Sequence, residues 1–149
     1  MSTLRILNSK ETKESLSLIE TQWGAKPQLD YALLMNNQNK VFLVNKDIGT
    51  IDISRLRVNS IGMYLGEVHN GIRLSIEGSQ LIGPFAKKNI ASINENQARQ
   101  WMEGSDIETN EDLEGFVLVK YNDDFLGCGK FAKGKVLNFV GKERRIKMI

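Results

Sequence analysis

The run from Lys88 to Ile107 constrains this 149-residue chain more than any other. Ile90 and Ile93 read as a short strand. Asn94 is a good helix N-cap, and Gln97 three residues on completes a capping-box pattern. Ala98, Trp101 and Met102 follow at helical spacing. Gly104 then sits where the chain must turn left-handed, and the next strand starts at Ile107. A glycine between a helix end and a strand also lets a bulky group approach the backbone closely. Strand, capped helix, glycine stop and strand within twenty residues mark a small mixed domain.

Upstream, Asn8 and Glu11 form a second capping-box pair, opening a helix that runs to about Trp23 and stops at Gly24. Leu16, Ile19 and Trp23 make its apolar stripe, and Pro27 prevents continuation. Tyr31 to Met35 and Val41 to Val44 read as strands joined by a polar turn. The run Lys46 to Arg57 reads as a short helix or an irregular edge. Ile61 to Val68 and Ile72 to Ile76 form a hairpin across His69-Asn70-Gly71, since Asn-Gly tolerates positive φ. Glu77 to Phe85 reads as a helix ending at Gly83-Pro84, the candidate domain boundary.

Beyond Ile107 the sequence predicts strands at Phe116 to Val119, at Phe125 to Phe131 (broken by Gly127 and Gly129), at Val136 to Val140 and near Arg145. About six short strands in the second half suit a small closed barrel, which leaves no exposed sheet edge. The fold class is α+β: an N-terminal antiparallel sheet with helices over residues 1–86, then a small β pseudo-barrel over 87–149. The linker around Pro84 to Lys88 is too short and apolar for a flexible tether, so one cooperative unfolding transition is expected.

The net charge of +2 hides a segregation. Glu103 to Asp124 holds eight acids and one base, whereas Cys128 to the end holds seven bases and one acid. A basic segment of this kind is the footprint of a polyanion partner, or a solvated surface balancing the acidic one. No apolar run approaches bilayer length and no secretory h-region stands at the start. The single cysteine, Cys128, excludes an internal disulfide and reads as a buried small residue. His69 and Cys128 offer no zinc-ligand spacing. Neither a nucleotide nor a methyl-donor fingerprint is present, so no cofactor or metal is expected.

The second half resembles a PUA domain, a small β-barrel RNA-binding module. The resemblance rests on the 88–107 unit, Glu114-Gly-Phe-Val-Leu-Val-Lys120, Phe125-Leu-Gly-Cys-Gly-Lys130 and Gly141-Lys-Glu-Arg-Arg-Ile146. The first half is similar to the pre-PUA domain of the Nip-seven family of large-subunit ribosome biogenesis factors. That likeness rests on Leu4-Arg-Ile-Leu-Asn-Ser-Lys-Glu-Thr12, Lys40-Val-Phe-Leu-Val-Asn45, Ile61-Gly-Met-Tyr-Leu-Gly-Glu67, Arg73-Leu-Ser75 and Gly83-Pro-Phe-Ala-Lys87. The short length and compact loops look archaeal. The resemblance implies a non-catalytic factor, binding ribosomal RNA precursor through its PUA half. It implies a monomer with assembly or processing proteins as further partners, in the cytoplasm, or in the nucleolus or nucleus of a eukaryote. The alternatives are an RNA-targeting accessory subunit of a modification enzyme and a protein-interaction adaptor.

Candidate RNA contacts follow. Arg144, Arg145, Lys142 and Lys147 occupy the terminal motif. Lys130, Lys133 and Lys135 flank the Gly134 loop tip, suited to following a phosphate backbone. Gln97, Arg99 and Gln100 lie on the polar face of the helix before Gly104, a helix and glycine that PUA domains implicate in RNA contact. Each competes with plain solvation. Trp101, Phe131 and Phe139 read as core.

Overall fold

A computed structural model describes residues 4–28, 31–45, 62–141 and 144–145. The ambiguous run 46–57 lies outside them, as do Lys142, Lys147 and most of the strand expected at the C-terminus.

Helix α1 (Ser9–Trp23) begins where the sequence places it. The Asn8 side chain accepts the Glu11 N–H at 2.8 Å, and the Glu11 carboxylate accepts the Asn8 N–H at 3.2 Å. Two donors with no partner inside the helix are thereby satisfied. Gly24, with φ of 65°, supplies the left-handed stop. The fully buried line is Ser15, Ile19 and Trp23, with Leu16 half-buried beside it, so the apolar stripe is rotated slightly from its expected centre.

The helix packs on a five-stranded sheet in sequence order: β1 (Arg5–Ile6), β2 (Tyr31–Met35), β3 (Lys40–Asn45), β4 (Met63–Val68) and β5 (Ile72–Leu74). Every neighbouring pair is antiparallel. Leu33 and Leu43 face the helix side, while Leu34 and Phe42 form a smaller cluster on the other face, as strand alternation requires. The β4–β5 hairpin turns through Asn70 and Gly71, both at positive φ. Its second arm ends at Leu74 and does not reach Ile76. Ser75 is a helix cap whose hydroxyl accepts the Gly78 N–H at 2.8 Å, and α2 (Ile76–Ile82) starts there. A 3₁₀ turn, Gly83–Phe85, carries Pro84.

The second half contains β6 (Ile90–Ser92), α3 (Glu95–Met102), β7 (Ile107–Glu108), β8 (Phe116–Tyr121), β9 (Asp124–Ala132) and β10 (Lys135–Leu137). The strands form one mixed sheet in the order β6-β8-β9-β10-β7, with β6 parallel to β8 and the other pairs antiparallel. Five strands replace the expected six among the described residues. Arg144 and Arg145 are not in a strand: the Arg144 N–H donates to the Gly141 carbonyl at 2.9 Å. Nor is β9 broken at its glycines. A register shift opposite Val119 and Lys120 absorbs the irregularity, and the Leu137 carbonyl, a Val136 methyl and the Trp101 indole fill the space a side chain at Gly129 would need.

The halves share a core. Leu118, Phe125 and Cys128 from the second half pack with Ile19, Trp23, Leu43, Leu65, Ile72 and Ile82 from the first. A separate core inside the second half holds Ala91, Trp101, Ile107, Val117, Val119 and Val136. Strand β8 serves both, with Leu118 on one face and Val117 and Val119 on the other. Polar groups seal the same junction. Gln22 Nε2 donates to the carbonyls of Glu114 (2.7 Å) and Phe116 (2.6 Å). Asn89 Nδ2 donates to the Gln22 carbonyl at 2.7 Å, and Asn89 Oδ1 accepts the Glu114 N–H at 3.0 Å.

Candidate nucleic-acid interface

A cluster of three exposed lysines stands on the β9–β10 hairpin. Ala132 pairs with Lys135, leaving Lys133 and Gly134 as a two-residue turn at φ of 51° and 78°. Such a turn matches the right-handed twist of the flanking strands. Lys130, Lys133 and Lys135 are exposed. None of these lysines is ion-paired among the described residues, although Lys135 stands opposite Glu108 in the β10–β7 register. The Lys130 ammonium sits 6.0 Å from the Phe116 ring centroid, at the limit of a cation–π contact.

The face of α3 is more committed than its sequence suggests. Gln97 closes the capping box: Asn94 Oδ1 accepts its N–H at 2.8 Å while its own side chain accepts the Asn94 N–H at 3.0 Å. Arg99 pairs with Glu95 one turn back at 3.2 Å, an exposed contact worth a few tenths of a kcal/mol, about 0.3–0.5. Gln100 remains exposed.

Gly104 has φ of 103°, and the close approach it permits is taken by Arg145 of the same chain. A side chain at 104 would collide with the Arg145 guanidinium. Arg145 Nε also donates to the Val140 carbonyl at 3.0 Å. Arg144 reaches to the first half, where its Nη1 lies 2.6 Å from the Glu77 carboxylate. Both terminal arginines thus hold intramolecular partners, one at the end of α3 and one at the start of α2.

A cleft of about 600 Å³ lies between the halves, and no local sequence pattern pointed to it. Lys40, Tyr64, Arg73 and Glu77 line it from the first half, and Phe139 and Arg144 from the second. Glu67 organises it, with one carboxylate oxygen 2.9 Å from Arg73 Nη2 and the other 3.1 Å from His69 Nε2. The guanidinium held this way stacks over Phe139, its carbon 4.6 Å from the ring centroid. Lys40 Nζ lies 5.9 Å from the Tyr64 centroid. Burial and then the Glu67 charge push the Tyr64 phenol above its ordinary pKa, so it is a neutral donor at physiological pH.

Phe139 is not core: it is 42% exposed. Val136 and Val140 take the buried positions, and Asn138 pins the segment by donating through Nδ2 to the carbonyls of Trp101 (2.8 Å) and Ser105 (2.9 Å). Phe131 is partly buried against the second core and Trp101 wholly buried in it. Cys128, beneath the cleft, is buried, and desolvation pushes its thiol up to about 12. It stays protonated near neutral pH.

Residues 88–146 match the family model described as the methyltransferase RsmF PUA domain. The chain is similar to ribosomal RNA small subunit methyltransferase F of Aeromonas salmonicida, 27% identical over 139 residues, covering 92% of this chain and 28% of that protein. The Vibrio vulnificus protein of the same name is 29% identical over 140 residues, covering 90% of this chain and 29% of the relative. That of Vibrio atlanticus is 32% identical over 94 residues, covering 61% and 20%. The chain spans less than a third of the length of these relatives. They are bacterial proteins named for small-subunit RNA, where the sequence pointed to an archaeal large-subunit factor. The PUA part of that expectation agrees with the comparison: residues 88–146 are similar to a PUA-type domain.

Proposed function

We propose that the chain is the RNA-targeting module of a small-subunit ribosomal RNA methylation system, with methyl transfer carried out outside these 149 residues. The observation that carries this reading is the match of residues 88–146 to a PUA domain from a ribosomal RNA methyltransferase, within relatives that align over nine tenths of the chain. This is the accessory reading of the sequence, preferred here over a large-subunit assembly factor. The protonated, buried Cys128 and the Glu67-bound His69 support a non-catalytic role. A cytoplasmic monomer accords with it.

The hairpin lysines supply the electrostatic part of binding. Replacing Lys130, Lys133 and Lys135 together by Gln removes three charges without touching a core. Each phosphate contact to a single strand contributes roughly 0.7 to the slope of log affinity against log salt, so the triple variant is expected to lose about two units of slope. Wild-type protein is expected to prefer small-subunit ribosomal RNA fragments to transfer RNA of equal length. Equal binding to both, or an unchanged slope in a triple variant that melts normally, would count against the proposal. Methyl transfer by the purified chain, abolished by a point mutation in it, would overturn the non-catalytic part.

A further inference from the structure

The cleft between the halves has no part in the binding just described. Its volume of about 600 Å³ lies within the range of small-molecule sites, roughly 300–1,000 Å³. Its walls come from a junction with a shared core, so they are in place before any ligand arrives.

Two features specify the ligand. First, Phe139 keeps its ring exposed beside a guanidinium that Glu67 holds in position, while Phe125 and Phe42 are buried. A flat aromatic next to a fixed arginine plane is the surface on which an unstacked base lies. Second, Lys40, Arg73 and Arg144 face Glu67 and Glu77, so the lining carries only a small positive excess. A site built for phosphate alone would not place carboxylates against its arginines. One built for stacking and hydrogen bonding, with a modest attraction to one phosphate, would.

We propose that this cleft takes a single unstacked nucleotide of the bound RNA, its base against the Arg73–Phe139 pair and its phosphate toward Lys40. The inference rests on the RNA-targeting reading and adds a second contact: the hairpin follows the backbone, while the cleft holds one base.

The test uses the full chain and a single-stranded RNA oligonucleotide carrying one 5-iodouracil, moved along the strand. Photocrosslinking is expected to join the base to Phe139 or Tyr64 at one position. Phe139→Ala is expected to weaken binding about tenfold, within the range for loss of one base–aromatic stack, with the salt slope unchanged. Phe139→Leu, which keeps the apolar cover over Arg73, is expected to lose as much, and Phe139→Trp to bind like wild type. Melting curves separate these effects from unfolding. Affinity within twofold of wild type in both Phe139→Ala and Phe139→Leu would overturn the cleft proposal. So would suppression of crosslinking by an acidic peptide as readily as by unlabelled RNA. In either case hairpin-dependent binding would still stand. Absence of RNA binding by the wild-type chain would overturn both readings.

Discussion

The two halves meet in two different ways. Along α1 and Asn89 the junction is closely packed: Trp23, Ile82 and Phe125 are buried together, and neutral amides of Gln22 and Asn89 satisfy backbone groups at its edge. At the cleft the junction is open and charged, crossed by the Arg144–Glu77 pair and the Arg73–Phe139 stack. Buried apolar contacts with satisfied amides contribute much more to stability than ion pairs in water. The packed side therefore holds the halves together, which leaves the charged side available to a ligand.

Cutting the packed side should have the largest effect. Trp23→Ala, in the middle of the shared core, is expected to cost about 3–5 kcal/mol. That corresponds to a melting point lower by on the order of 10 °C. Because Cys128 sits in the same core, its reaction with a thiol reagent near pH 8 should accelerate in step. A variant that melts in two steps, with Cys128 still protected through the first, would show that the halves are independent.

Asn89 comes next. Asn89→Ala removes both junction hydrogen bonds of its side chain and places alanine at a φ of 54°, together costing about 2 kcal/mol. Asn89→Gly keeps the backbone conformation and loses only the bonds, so it should melt between wild type and the alanine variant. An alanine variant that melts like wild type would mean that Gln22 seals the junction without it.

The open side should respond least. Arg144 and Glu77 are each nearly half exposed, with side-chain exposures of 45% and 41%. Arg144→Ala is expected to cost less than about 1 kcal/mol. A double-mutant cycle with Glu77→Gln measures the pair directly. A loss as large as that of Asn89→Ala would erase the distinction between the two sides.

What the sequence made legible was local. The Asn8–Glu11 and Asn94–Gln97 boxes and the Asn70-Gly71 turn are decided within four residues, and each formed where expected. Ser75 was missed because the alternation Ile72, Leu74, Ile76 runs straight through it, while the cap acts on a helix that only tertiary packing completes. The parallel β6–β8 pair joins residues nearly thirty positions apart, beyond any short pattern. The partners of charged groups are hidden from the sequence for a related reason. Composition counts Arg144 and Arg145 with Lys133, yet the fold gives the arginines partners at Glu77, Val140 and Gly104 and leaves the hairpin lysine exposed. The cleft was invisible because Arg73 and Phe139 stand far apart in the chain.

Strands β8 and β9 each contribute side chains to both cores, and this bears on how such a protein can evolve. A gene fragment starting at Lys87 would encode the PUA-type sheet with Leu118, Phe125 and Cys128 stripped of their apolar cover. Recombination at the apparent boundary would thus separate side chains that bury one another. The two halves occur together in the Aeromonas salmonicida and Vibrio vulnificus relatives, whose alignments cover 90% or more of the chain and so begin well before residue 88.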